Sequence, residues 1–389
     1  MSGPAGGTPF EPPVYPYERL IGAKEKAEAH PGGAVDLSIG TPTDPAPVAV
    51  VAALATSGAE AGYPFSVGSA RYREAAAGWM ARRLGVTVDP STVYACVGTK
   101  EFVSTLPQWL RLRRPDLDTV LHPAVSYPSY AMGATLAGCR SVEVPVDDGW
   151  RLDLSAVAPA DVSRALCLWV NSPGNPAGQL DDLDAAAAWG RAHGVPVFSD
   201  ECYVEYTWEG PPRTILAGGV DGVVAVHSLS KRSNAAGLRA GFYTGDAALV
   251  RYLSEVRKHV GMLVPGPIQA AAAVALDDDV HVDLQRERYR QRLGYFRSVL
   301  AVLGVDVAMP GGGFYLWAPA PDGDAWGFTE RLAAEGGCLV SPGDLYGEAG
   351  AGHVRVALVR DLDRLALVAE RMGVDVPGPR PTPRTSGPA

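Results

Sequence analysis

The sequence predicts an α/β protein, with a mainly parallel sheet covered by helices on both faces and a smaller α+β unit beside it. Three observations predict it. From about residue 46, short apolar runs alternate with segments of helical composition. Four polar motifs fall just past the carboxyl ends of four of those runs. Beyond a long charged helix, the texture changes to the alternating pattern of antiparallel strands.

Residues 1 to about 16 are rich in Gly and Pro and are expected to form a flexible tail; they have neither the basic start nor the apolar centre of a signal peptide. The run Ala34-Val35-Asp36-Leu37-Ser38-Ile39 is expected to pack with the smaller unit. Gly68 to Leu84 has helical composition, Val93 to Val97 reads as a strand, and Glu101 to Leu112 reads as a helix. Thr119 to Leu121, Ala165 to Val170, Val195 to Phe198, Val223 to Val226 and Ala240 to Tyr243 continue the strand series. A helix is expected from about His281 to Leu303, with Arg286, Glu287, Arg288, Arg290, Gln291 and Arg292 on a solvated face. Gly311-Gly312-Gly313 precedes the alternating Phe314-Tyr315-Leu316-Trp317, and His353 to Leu358 alternates again. These runs place a large domain at residues 46–294 and a small one at residues 17–45 plus 295–373, with a second flexible tail over residues 374–389.

Composition narrows the function classes. With 47% hydrophobic and 20% charged residues, the chain has the makeup of a soluble globular enzyme. No run approaches the roughly 18 unbroken apolar residues of a membrane span. A net charge of -9 argues against general nucleic-acid affinity and leaves a small anionic ligand open. The five cysteines (Cys96, Cys139, Cys167, Cys202, Cys338) are odd in number and contain no CxxC pair, which disfavours a disulfide framework and a zinc site and fits a reducing cytoplasm. No fixed-period repeat is present, which sets aside solenoids and propellers.

The motifs carry the chemistry. Ser228-Leu229-Ser230-Lys231 follows the apolar run Val223 to Val226, so Lys231 stands at the carboxyl end of a strand, where the ligand crevice of an open α/β sheet lies. A lysine desolvated there acts as an amine nucleophile; a lysine in isolation reads as a surface charge. Gly98-Thr99-Lys100 opens a helix after Val93 to Val97 in the form of an anion cradle, although Gly-Thr before a helix is more often a tight turn with a cap. It is neither a Walker loop nor a dinucleotide fingerprint. Asn171-Ser172-Pro173-Gly174-Asn175-Pro176 and Asp200-Glu201-Cys202-Tyr203 follow two further strands. Asp200 is either a helix cap or a buried carboxylate that needs a cationic partner, and Arg239 is either a surface arginine or a phosphate ligand.

In chain order, Asn-x-Pro-x-Asn-Pro, Asp-x-x-Tyr and Ser-x-Ser-Lys-x5-Gly-x-Arg-x-Gly resemble the fold-type I pyridoxal-phosphate (PLP) aminotransferases of classes I and II, over about residues 34 to 372. The resemblance implies a large PLP-binding domain built on a mainly parallel seven-stranded sheet. It implies that Lys231 carries the internal aldimine and shuttles a proton between Cα and the cofactor, and that Asp200 pairs the pyridine nitrogen. Asn175 and Tyr203 would bond the ring hydroxyl oxygen, and Tyr127 would stack on the ring. Thr99, Lys100, Ser228 and Arg239 would hold the phosphate, together with Tyr63 from the partner subunit of a homodimer with shared active sites. Arg355 would grip the substrate α-carboxylate in a bidentate fork, with Gly40 in the loop closing on it; Gly40 reads equally as a turn glycine.

Residues 227–231, 257–265 and 275–279 are further similar to actinobacterial succinyldiaminopimelate aminotransferases. That likeness implies a ping-pong transaminase moving an amino group from N-succinyl-diaminopimelate to 2-oxoglutarate, in lysine biosynthesis. A transaminase for an aromatic, aspartate-like or acetylornithine substrate, or a β-lyase, shares the same cofactor residues. A regulator on this fold would carry an added helix-turn-helix region, for which the roughly 33 residues before the matched region are too short. Lys258, Arg232 and Lys100 are the candidates for gripping a second substrate carboxylate.

Overall fold

The computed structural model describes residues Phe10 to Val376. Twelve strands follow in chain order: β1 (Val35–Asp36), β2 (Tyr94–Cys96), β3 (Thr119–Pro123), β4 (Arg140–Val144), β5 (Ala165–Asn171), β6 (Val197–Asp200), β7 (Val223–Ser228), β8 (Gly241–Gly245), β9 (Tyr315–Pro319), β10 (Cys338–Leu339), β11 (Ser341–Pro342) and β12 (His353–Ala357). Seven of them form one sheet in the order β2-β8-β7-β6-β5-β3-β4. Strands β5, β6 and β7 are buried throughout, which is why each opens on an unbroken apolar run, with polar residues gathered toward the carboxyl end.

Two details of this sheet differ from the sequence expectation. Ala240 to Tyr243, expected within the parallel series, lies in β8, which runs antiparallel to both β2 and β7. Because it reverses direction twice, β2 still points the same way as β5, β6 and β7, and all four of their motifs reach one edge. The other difference is β4, which the apolar-run criterion misses. It is an edge strand whose Arg140, Ser141 and Glu143 are exposed, so it carries too few apolar residues to be recognised.

Helices cover both faces. Ser69 caps the helix Ala70–Trp79 by accepting from the Tyr72 amide, and Asp182 caps Leu183–His193 through the Ala185 amide. The side chains of Trp79, Val197, Val223 and Ala225 share one core on one face; Phe102, Phe198, Val224 and Val226 share another on the opposite face.

The remaining strands build the second unit. β11, β12 and β9 pair antiparallel, and β1 pairs parallel with β10, so the Ala34 to Ile39 run does pack there. The helix Val280–Val302 ties the two units together: Tyr289 packs with Tyr203 and Phe314, while Leu293, Phe296, Val299 and Leu300 enter the core of the smaller unit. Its charged residues are not all solvated, as the sequence pattern implied. Arg292 is buried and pairs with both oxygens of Asp44, at 2.7 and 2.8 Å, and Arg286 donates to the backbone carbonyls of Glu205 and Thr207.

Both expected tails contain residues held by the fold. Tyr15 contacts Lys100, and Val374 packs into the core of the smaller unit. Residues 1–9 and 377–389 of those tails lie outside the described residues. Among the described residues no helix is long and apolar enough to cross a membrane, and no group of three or more His, Cys, Asp and Glu side chains is placed to hold a metal.

Candidate active site

The carboxyl edge of the large sheet opens into a cavity of about 420 Å³ between the two units. Gly40, Thr99, Lys100, Tyr127, Asn175, Asp200, Tyr203, Ser228, Lys231, Arg239 and Arg355 all line it. Parallel register explains part of this convergence, since Asn171 lies opposite Asp200 at the ends of β5 and β6. Tyr63, the candidate for the phosphate from a partner subunit, is elsewhere: it is 99% exposed and does not line the cavity of its own chain.

One end of the cavity suits an anion. Gly98, at φ 75°, turns the chain into the helix Thr99–Arg113, whose amino end faces the cavity. A Cβ at Gly98 would lie 2.2 Å from Arg239 Nη2, so only glycine lets the guanidinium approach that helix end. Ser228 and Ser230 border the same space. Unpaired helical amides, hydroxyls and a guanidinium together fit a phosphate monoester. Lys100 is directed toward the cavity mouth: its Nζ donates to Tyr15 Oη at 3.2 Å and lies 4.9 Å from the centre of the Tyr15 ring.

Beneath the anion end lies Asp200, only 5% exposed. Its Oδ2 accepts from Tyr130 Oη at 3.1 Å and its Oδ1 from the Cys202 amide at 3.3 Å. Burial raises its pKa, and no ion pair among the described residues includes it. A carboxylate so placed is matched by a protonated ring nitrogen brought in with a ligand. Lys231 is partly buried at the cavity wall, and desolvation lowers its amine to about 8. Its Nζ donates to the Gly40 carbonyl. A substantial neutral fraction near physiological pH makes this amine a competent nucleophile toward an aldehyde. Phosphate cradle, carboxylate and amine therefore fit PLP.

The other end is built around Arg355, which β12 delivers to the cavity at 1% exposure. Its Nη1 donates to Asn175 Oδ1 at 2.8 Å and its Nη2 to the Ser38 carbonyl, while Nε has no partner among the described residues. The rings of Tyr315 and Tyr346 lie 4.5 and 4.7 Å from its guanidinium carbon. No carboxylate pairs with it among the described residues, which leaves the guanidinium able to receive one from a substrate. Gly40 is confined beside it: a Cβ there would lie 2.0 Å from Tyr315 Oη.

Tyr15, Tyr17, Tyr130 and Tyr315 line the cavity without having been singled out from sequence. Tyr130 is visible in the Ser126 to Tyr130 motif, but nothing local assigns it to Asp200. Tyr315 bonds Tyr203 Oη at 2.7 Å from the other unit of the fold. Of the three candidates for a second carboxylate, only Lys100 lines the cavity. Arg232 is buried behind it and pairs with Glu205 and Asp279, at 3.1 and 3.3 Å, and Lys258 is an exposed residue near Glu255.

The family model for class I and II aminotransferases matches residues 33–371. The chain is 43% identical, over 370 residues, to a 4-dedimethylamino-4-oxo-anhydrotetracycline transaminase of Streptomyces rimosus, covering 93% of this chain and 99% of that relative. It is 33% identical, over 375 residues, to an LL-diaminopimelate aminotransferase of Aquifex aeolicus, covering 92% and 96%. It superposes on a probable N-succinyldiaminopimelate aminotransferase of Thermus thermophilus with a TM-score of 0.82 at 31% identity, covering 92% of this chain and 98% of that one.

Proposed function

The chain belongs to the class I and II aminotransferases and is a PLP-dependent transaminase, and we propose that its amino donor is N-succinyl-diaminopimelate, with 2-oxoglutarate as the acceptor. The observation that carries a carboxylate-bearing donor is the buried, carboxylate-free guanidinium of Arg355 at the end of the cavity. The diaminopimelate names of the Aquifex and Thermus proteins favour the proposed donor, as do residues 257–265 and 275–279. A diaminopimelate step of lysine biosynthesis in a reducing cytoplasm fits that assignment.

Bound PLP supplies an electron sink for charge that develops at the substrate Cα. The chain supplies the rest. Arg355 binds the α-carboxylate through two parallel N–H bonds, and the Asn175 amide fixes the plane of the guanidinium. Lys231 Nζ would act as the base that takes the proton from the substrate Cα and as the acid that gives it back in the return half of the cycle. Asp200 keeps its charge against the ring nitrogen, with Tyr130 donating to it. Tyr203 and Asn175 would hold the ring oxygen, Tyr127 would cover the ring, and Thr99, Ser228 and Arg239 would hold the phosphate. Lys100, at the cavity mouth, reaches either the phosphate or the distal carboxylate of the donor. Donor and acceptor use one site in turn, which gives ping-pong kinetics.

We infer a homodimer with shared sites, in which the exposed Tyr63 phenol reaches the phosphate bound by a second copy. Tyr63→Phe would then weaken PLP binding without changing the mass of the dimer in solution. A second reading follows from the 43% identity to the Streptomyces transaminase: a polycyclic ketone as amino acceptor. A panel of succinyl-diaminopimelate, LL-diaminopimelate, acetylornithine, and aromatic and branched amino acids tests the donor by conversion of the cofactor absorbance to its amine form. The proposal expects the succinyl compound to have the highest kcat/KM. A tenfold preference for another donor would overturn it.

A further inference from the structure

Asp200 and Glu201 are consecutive and both buried, yet they face opposite sides of the sheet. Asp200 lines the cavity, where Lys231 and Arg239 also lie. Glu201 turns behind β7: its Oε1 accepts from the Ile215 amide at 2.8 Å, and its Oε2 stops 3.5 Å from His227 Nε2. Two adjacent buried carboxylates cannot both be ionised unless each has its own cation.

The surroundings of Glu201 offer none. His227 is packed between the Trp79 and Phe242 rings, each 5.0 Å away between centres. The nearby Arg232 is engaged by Glu205 and Asp279, and Glu205 is further occupied by Arg83 and the Trp79 indole. Among the described residues neither nitrogen of His227 nor Oε2 of Glu201 makes a well-formed hydrogen bond, and their other polar neighbours, the Ser199 and Thr214 hydroxyls and the Glu201 backbone carbonyl, are all uncharged. The adjoining cavity is about 10 Å³, room for one water at most, so solvent does not hydrate an ion pair there.

We propose that Glu201 and His227 form one proton-sharing pair of zero net charge behind the active site, which leaves Asp200 the single buried anion facing the cofactor. The proton stands on Glu201 Oε2 and is donated to His227 Nε2, and the ring keeps its own hydrogen on Nδ1; no proton leaves the pair. A rotation of the carboxyl group, a soft torsion, closes the 3.5 Å gap. Burial holds His227 down at about 3 and pushes Glu201 up to about 7, so between those limits the acid carries the proton and the imidazole is neutral. The other titratable groups nearby are Asp200, Cys202 and the paired Glu205 and Arg232. An ionised Glu201 would raise the proton affinity of Asp200 and loosen its hold on a cationic ring nitrogen. Glu201 is thus a positioning residue acting through Asp200, and the inference rests on the role proposed for Asp200.

The test uses the full-length holoenzyme near pH 5, between those two limits. Infrared difference spectra of wild type against Glu201→Gln are expected to show loss of a protonated carboxylic acid band, and that band is expected to shift in His227→Gln. The pH midpoint of the cofactor's visible absorbance is expected to stay put in Glu201→Gln, because a neutral amide replaces a neutral acid. Loss of a carboxylate band instead, or a midpoint shift of about one unit or more, overturns the pair. Nitrogen-15 spectra of histidine-labelled wild type are independent of any variant's folding; a His227 ring that titrates near the ordinary histidine value overturns it as well. Asp200→Asn separates the two readings: an unchanged cofactor absorbance there defeats the role of Asp200, while the infrared and nitrogen spectra still decide whether the pair exists.

Discussion

Arg355 Nη1 and Asn175 Oδ1, 2.8 Å apart, join a strand of the smaller unit to the loop after β5 of the larger one. The backbone of Asn175 is itself anchored, because its N–H donates to Asn171 Oδ1 at 2.8 Å. The guanidinium is therefore held in a set plane before any substrate arrives, which lowers the ordering cost of gripping a carboxylate.

Arg355→Lys keeps the charge and loses the fork. We expect KM for amino donors to rise on the order of 10- to 100-fold, with PLP content unchanged. Steady-state kinetics beside a cofactor assay checks this. Equal loss of cofactor and substrate binding would remove Arg355 from the carboxylate site.

Lys231→Ala is expected to abolish covalent attachment of PLP while leaving the circular dichroism spectrum unchanged. Because burial lowers the wild-type amine to about 8, the neutral, reactive fraction grows as pH rises through that value. The rate of covalent capture of PLP by apoenzyme is therefore expected to climb from acid pH and level off above about 8, as followed by stopped-flow absorbance. The same shift affects stability. The folded amine binds its proton more weakly than the unfolded one, so the unfolded chain binds more protons between about 8 and the ordinary lysine value, and this contribution to stability rises with pH across that window.

These residues were legible because each motif sits within a few positions of a strand end, and β5, β6 and β7 announce themselves by being buried on both faces. What escaped was set by distant partners. Tyr203 and Tyr315 meet across 112 positions, and Lys100 and Tyr15 across 85. Arg292 sits in a run of charges that reads as solvated, until Asp44 arrives from 248 positions away. Strand β4 hides for the opposite reason, since half-exposed edge strands carry few apolar residues.

Gly98→Ala tests the anion cradle. The substitution puts a methyl group 2.2 Å from Arg239 Nη2 at a backbone φ of 75° that L residues rarely adopt. Arg239 has to withdraw, taking one charge-assisted bond from the phosphate. We expect the Kd for PLP to rise roughly tenfold or more, since such a bond contributes about 1.5 to 3 kcal/mol. Fluorescence titration of apoenzyme measures it, and an unchanged Kd would place the phosphate elsewhere.

The ion pair between Asp44 and Arg292 anchors the segment that carries Gly40 over Lys231. It is bidentate, at 2.7 and 2.8 Å, Gln285 adds a bond to Asp44 at 2.8 Å, and Arg292 is buried. Burial alone would favour the protonated acid, but Arg292 overcomes it and holds Asp44 below the usual carboxylate range. With its folded pKa depressed, Asp44 contributes stability that is present above its unfolded value and is lost as pH falls through the folded one, below about 4. Arg292→Met strands a half-buried carboxylate and is expected to cost about 3 kcal/mol in denaturant unfolding at neutral pH, the low end for a broken buried pair. Acid relieves that stranded charge, so the deficit against wild type is expected to shrink as the pH drops toward 4. Asp44→Leu combined with Arg292→Met removes both charges together and should recover most of the loss, whereas a double variant no more stable than the single one would show that the pair is not what holds the segment.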